Sequence, residues 1–171
     1  MEKLVVGSTR ESAGKTSAII GLAKAFNAKI AYLKPFGERL LYRKKRLWDY
    51  DAGLIADLFG LEEGVEELSI GFHHSKLMYM LDEETTGQKL RELLTKVGRQ
   101  KDVVFIEAGK DLSYGASVYL DAISLAKSLD AGLLVVASGE DTASDDLAFL
   151  KKRVQLEKVN LRGAIINKVT N

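Results

Sequence analysis

Gly14-Lys15-Thr16 places a residue without a side chain, a primary ammonium and a hydroxyl in direct succession. Those three groups suit a polyphosphate and its divalent cation. Glycine lets backbone N–H groups come close to the anion, the ammonium reaches the β- and γ-phosphates, and the hydroxyl ligates Mg²⁺. The usual spacing, G-x-x-x-x-G-K-[ST], asks for glycine at position 9, where this chain has Thr9. The chemistry itself needs a strand that feeds a tight turn, then a helix whose N-terminal partial charge faces the anion. Leu4 to Gly7 supplies the strand, and Ala18, Ile19, Leu22, Ala23 and Phe26 give the following helix a buried face. Thr9, Arg10, Glu11, Ser12, Ala13, Gly14, Lys15, Thr16 and Ser17 are therefore the residues expected around a bound nucleotide.

Three further places carry suitable chemistry. Lys34 ends the apolar run Ile30 to Leu33, and the carboxyl end of a parallel strand faces the crevice where open α/β sheets bind ligands. Glu107 ends the run Val103 to Ile106 at the same sheet edge, where a carboxylate suits Mg²⁺ or its bound water. Asn167 closes the last apolar run in Asn167-Lys168-Val169-Thr170. That sequence is close to the guanine-reading Asn-Lys-x-Asp motif, but Thr170 replaces the aspartate that guanine needs, while an asparagine can still pair with adenine. Asp49 and Asp51 stand at a helix start, where either one caps unpaired N–H groups. His73-His74 lacks a third ligand at metal spacing and reads as a surface loop. Arg39, Arg43, Lys44, Lys45 and Arg46 read as a solvated flap rather than a nucleic-acid stripe.

The elements that must position these groups follow from hydrophobic pattern. Apolar runs at Leu4–Val6, Ile30–Leu33, Val103–Ile106, Leu133–Val136 and Ala164–Ile166 alternate with stretches of helical period at 16–26, 50–59, 84–97, 119–129 and 142–156. This pattern predicts a three-layer α/β sandwich: a mainly parallel five-stranded sheet with helices on both faces. Residues 60–82 fit neither period and are expected to form a short helix and loops. The 171 residues suit one domain, 1–171. A formal charge of +1 favours neither nucleic acid nor an anionic membrane, and the absence of cysteine excludes disulfides, thiolate metal sites and a cysteine nucleophile. With no signal peptide or membrane span in the sequence, a cytoplasmic location is expected.

Ser8-Thr9, four intervening residues and Gly14-Lys15-Thr16 resemble the altered loop of the dethiobiotin synthetase-like P-loop proteins, especially the related N-terminal domain of some phosphotransacetylases. Lys34-Pro35 resembles the Lys-Pro segment of that family, and Glu107-Ala108-Gly109-Lys110-Asp111 resembles its Glu-Gly-Ala-Gly-Gly segment without the second glycine pair. The resemblance implies a P-loop NTPase domain using ATP and Mg²⁺, with Lys15 and Lys34 as catalytic cations and Asn167 against adenine. Thr16, Glu107 and one aspartate would hold the metal, Asp51 being preferred because the helix continues directly from it. In the wider class containing the ParA/MinD ATPases a signature lysine occupies the position of Arg10. A homodimer is implied too. So is one of two functions: a nucleotide-sensing regulatory domain, or an ATP-dependent ligase activating a small carboxylate or carbamate. The departure after Glu107 separates the chain from recognition of a diaminopelargonate-like substrate.

Overall fold

In the computed structural model, residues 1–43 and 45–169 are described; Lys44 of the expected flap and Thr170 of the base-reading motif lie outside them. The chain runs β1 (Glu2–Ser8), α1 (Lys15–Phe26), β2 (Ile30–Leu33), β3 (Leu40–Arg43), β4 (Arg46–Asp49), α2 (Tyr50–Phe59), α3 (His74–Met80), α4 (Glu83–Val97), β5 (Val103–Glu107), α5 (Ala122–Ser128), β6 (Gly132–Ser138), α6 (Ala143–Glu157) and β7 (Leu161–Asn167). The five expected apolar runs form one parallel sheet in the order β2-β5-β1-β6-β7. Val5, Val6, Phe105, Ile106, Leu133 and Val135 are wholly buried in its centre, as strands covered on both sides require.

The topology fixes where ligands can reach. From β1 the chain crosses over β5 to reach β2, whereas the later crossovers all step the other way along the sheet. Right-handed crossovers therefore put α1 on one face and α4, α5 and α6 on the other. The loops leaving β1 and β5 diverge at that point and open a crevice between the carboxyl ends of two neighbouring strands. Val6 pairs with Glu107 in register, so the loop after Ser8 and the end of β5 meet there.

The expected flap departs from the sequence reading, whereas residues 60–82 form the short helix and loops expected of them. The expected flap contains an antiparallel hairpin, with Leu40 opposite Asp49 and Tyr42 opposite Leu47. Its turn carries no glycine or asparagine, yet Lys45 adopts φ 61, so the signal that marks most hairpins is missing. The stretch 60–82 holds a 3₁₀ turn at Val65–Glu67 and then the short helix α3, with loops between. Between them, residues 68–71 run beside the exit of β2: Lys34 N donates to Leu68 O (2.9 Å), Ile70 N to Pro35 O (2.8 Å) and Gly37 N to Gly71 O (3.1 Å). The outer edge of the sheet is thereby paired just where Lys34 leaves it, and Pro35, which has no N–H, sits where only its carbonyl is needed. α5 is shorter than expected because Tyr119 takes φ 58 and Asp121 caps the helix through Ile123 N and Ser124 N. Among the described residues no helix is long and apolar enough to cross a membrane.

Candidate functional site

The loop from Thr9 to Gly14 leaves β1 with Thr9 N still bound to Val136 O of β6 (3.1 Å). It then turns through two left-handed residues, Ser12 (φ 60) and Gly14 (φ 105), the second being the N-cap of α1. No side chain caps α1, so its first N–H groups remain directed into the crevice, the arrangement that receives an anion. Ala13 is buried beneath the loop and its carbonyl accepts from Asn167 Nδ2 at 2.9 Å. The end of β7 thus holds the loop from behind. Ser8 supports it from below: its hydroxyl lies 2.9 Å from Arg10 O and 3.0 Å from Lys110 O, and accepts from Lys15 Nζ at 3.0 Å. Lys15 is buried, which lowers its ammonium below the usual lysine range, with the charges of Glu107 and Glu38 opposing that shift.

Under the crevice lies a charged floor. Glu107 Oε1 accepts from the Thr16 hydroxyl (3.0 Å), and Oε2 accepts from the fully buried phenol of Tyr32 (2.9 Å). Burial first, and then the negative charge of Glu107, raise the Tyr32 phenol well above its ordinary range, so it remains a donor. Lys34 Nζ lies 2.7 Å from Asp51, 3.4 Å from Glu107, 3.5 Å from Asp49 and 3.6 Å from Glu38. Burial alone would lower that ammonium; Glu107, Asp49 and Asp51 more than offset it and raise it above the usual lysine value. The magnitudes agree with that balance. A unit charge pair at 4 Å is worth about 4 kcal/mol at the effective dielectric of a partly buried site, and desolvating one ion costs several kcal/mol.

Asp49 and Asp51 do different work. Asp49 Oδ1 accepts from Asp51 N and Ala52 N to cap α2, while Oδ2 accepts from Glu38 N and Arg39 N. Asp51 instead faces the crevice, between Lys34 and the guanidinium of Arg39 (2.9 Å). Together with Glu11, Ser12, Gly14, Lys15, Thr16, Ser17 and Glu107, it lines a cleft of about 400 Å³. Of the other expected residues, Thr9 opens the loop without lining the cleft, Asn167 stands behind the loop, and Lys34 lies beneath the lining, wholly buried. Arg10 turns away to α6, where Asp146 receives it through both oxygens (2.8 and 2.9 Å). His74, expected in a surface loop, packs edge-on against Phe36 (4.6 Å) and Tyr114 (4.9 Å), which seats the loop after β5 on the exit of β2.

Six residues outside the expected set also line the cleft: Ile20, Leu54 and four that carry polar or aromatic groups, of which Arg39 belongs to the expected solvated flap and Lys110 starts a segment whose sequence suits a substrate loop or subunit contact. Glu38, Arg39, Tyr50 and Lys110 all line the cleft, Arg39 lying over the Tyr50 ring at 4.6 Å. Glu38 had a usable signal, since it follows Lys34 by four residues just beyond a strand end. Its carboxyl is raised by burial against the opposing pull of Lys34 and Lys15, and its Oε2 is buried with no hydrogen-bond partner. Among the described residues no group of three acidic or histidine side chains is close-set enough to cage a bare metal ion. That suits Mg²⁺, which keeps several waters and takes only one or two carboxylates beside phosphate oxygens. Thr16, Glu107 and Asp51 are chemically adequate for that limited share.

A family model described as an AAA domain (AAA_26) matches residues 2–171. Among solved structures, the kinase domain of the Escherichia coli tyrosine kinase ETK is 18% identical with a TM-score of 0.59, over 98% of this chain and 68% of that one. A putative plasmid partition protein from Borrelia burgdorferi bound to AMPPNP gives 14% identity and a TM-score of 0.57, over 96% and 73% of the two chains. The MinD cell division protein of Aquifex aeolicus gives 16% and 0.53, over 96% and 69%. At these identities the likeness is one of fold, and the fold is that of the P-loop NTPases.

Proposed function

We propose that this chain, which belongs to the AAA-domain family, binds Mg²⁺-ATP in the cleft between β1 and β5 and serves as a nucleotide-sensing, regulatory domain of the dethiobiotin synthetase-like kind. The observation that carries this reading is the uncapped start of α1, entered through left-handed Gly14, opening on a 400 Å³ cleft lined by Lys15 and Thr16. Backbone N–H groups from residues 12 to 16 cradle the polyphosphate, and Lys15 swings from Ser8 to neutralise it. Bound Mg²⁺ supplies charge neutralisation at the β- and γ-oxygens. Thr16 and Glu107 hold it or its water, with Asp51 completing the set from across the cleft. Asn167 gives its N–H to Ala13, leaving its carbonyl oxygen to accept from the exocyclic amine of adenine. Tyr50 and Leu54, exposed where they line the cleft, offer apolar surface to a second copy in a homodimer.

A second reading, an ATP-dependent ligase activating a small carboxylate or carbamate, is favoured by one feature. The lining extends past the loop to two cations, Lys110 and Arg39, which suit a second anion. Calorimetric titration with ATP, ADP and GTP in Mg²⁺ tests the common core. Wild type should bind adenine nucleotides, and Lys15→Ala should lose them; a Lys15→Ala protein that binds ATP like wild type ends the assignment. Phosphate release that rises on adding bicarbonate or a small carboxylate would select the ligase, and binding without stimulated release the sensor.

A further inference from the structure

Helix α3 buries only Leu77 and exposes Met78 (57%), Tyr79 (92%) and Met80 (55%) in succession. Single apolar residues at a surface are ordinary, but three together on one short helix form a patch. Met80 also borders a groove of about 340 Å³ floored by Leu47 of β4, Ile70, Phe72, Leu77 and Leu81. A second recess of about 390 Å³ adjoins it through Ile70 and Lys89 and continues past Leu93 of α4. None of these residues lines the nucleotide cleft. We propose that the two recesses form a docking trough for an acidic amphipathic segment of a partner protein, which seats large apolar side chains in the recesses and its carboxylates on Lys76 and Lys89.

The trough is preformed. Leu77 packs over Gly71 and Phe72 over Gly37, each so closely that a Cβ on the glycine would collide, and Ile70 N donates to Pro35 O at 2.8 Å. Little ordering is then needed to receive a ligand. Charge selects the occupant. The charged groups lining the first recess are the cations Lys76 and Lys89, with His73 beside them, and among the described residues neither lysine has an ion-pair partner. In the second recess Lys96 is engaged by Glu67 at 2.8 Å, and Glu92 accepts from Gln88 Nε2 at 2.8 Å. A second copy docked about a two-fold axis would set the same lysines against each other. A bilayer takes up apolar groups that protrude, whereas Leu77 and Leu81 are buried at the floor and Lys76 and Lys89 are exposed. Large apolar side chains flanked by Asp or Glu meet both demands, as when an amphipathic helix lies in a groove.

Docking here is independent of the nucleotide cleft, so a failure to bind ATP would leave it untouched. Random peptides displayed on phage are selected on the wild-type protein. The tightest is then measured by fluorescence anisotropy against wild type, Met80→Asp and the double variant Lys76→Glu/Lys89→Glu. All three positions are exposed, so the variants should unfold close to the wild-type temperature. Selected peptides should carry large apolar residues at helical spacing with Asp or Glu between them. Met80→Asp should weaken binding about tenfold or more, and the double variant by about as much, while a copy of the peptide with Lys in place of its acids should prefer the double variant. A selection that yields no binder, binders without acidic residues, or binders indifferent to both substitutions would overturn the proposal. So would a wild-type dimer that Met80→Asp converts to monomer in light scattering, which gives the face to a second copy. Anionic phosphatidylserine vesicles that bind wild type but not Met80→Asp would give it to a membrane and overturn the proposal too.

Discussion

Gly14→Ala is the sharpest test of how the loop is held. Gly14 stands at φ 105, where an L side chain is strained by about 1–2 kcal/mol. A methyl group there would fall inside van der Waals contact with Asn167 Nδ2. The amide is the far end of a side chain and can move aside, but only by giving up its 2.9 Å bond to Ala13 O, a further loss of about 1 kcal/mol. The expected destabilisation is therefore about 2–3 kcal/mol, or about 4–12 °C in Tm for a domain of this size. Urea unfolding of wild type, Gly14→Ala, Asn167→Ala and the double variant separates the two contributions. Asn167→Ala alone should cost about 1 kcal/mol, and the double variant should fall short of the sum by about the same amount, because the bond is lost only once. Strict additivity, or a Gly14→Ala cost below about 0.5 kcal/mol, would refute the claim that β7 holds the loop through this amide.

Two other perturbations bear on the floor. Tyr32→Phe removes one of the donors that orient Glu107, and should weaken the Mg²⁺ dependence of nucleotide binding by about tenfold while leaving metal-free affinity unchanged; an unaltered Mg²⁺ titration would count against Glu107 as a metal partner. Glu38 has a folded-state pKa above its unfolded value, so the native state holds its proton more tightly, and its contribution to stability fades as pH rises through the raised pKa. Glu38→Gln should accordingly stabilise the protein near neutral pH, with the advantage shrinking as pH falls into the carboxylate range; a pH-independent difference between the two unfolding curves would contradict the burial argument.

Much of this site was readable because its parts are local. A strand, a tight turn and an amphipathic helix follow one another within residues 2–26, and parallel register alone brings Glu107 beside Val6. Contacts made across the fold left no such trace. Nothing near Arg10 announces Asp146 on α6, and Tyr32 reads as an apolar strand residue until β5 brings Glu107 to its hydroxyl. The carboxyl end of β2 was correctly expected at the crevice, yet the side chain of Lys34 follows the local field of four acids, which depends on a hairpin that its turn residues conceal. The sequence favours Asp51 over Asp49 only narrowly, because capping and ligand contact both favour aspartate at a helix start; the backbone donors of Glu38 and Arg39 tell them apart.

Asp49 binds three pieces of chain with one carboxylate: the turn that carries Glu38 and Arg39, the end of β4 and the first turn of α2. A second tie, Tyr50 N to Arg39 O at 2.7 Å, clamps the same junction. The β3–β4 hairpin, with Tyr42 74% and Leu41 41% exposed, is consequently anchored at its base to the wall of the cleft. Arg39, at the base of that hairpin, also pairs with Asp51 at 2.9 Å, so the junction that anchors the hairpin is the one that sets a carboxylate of the cleft.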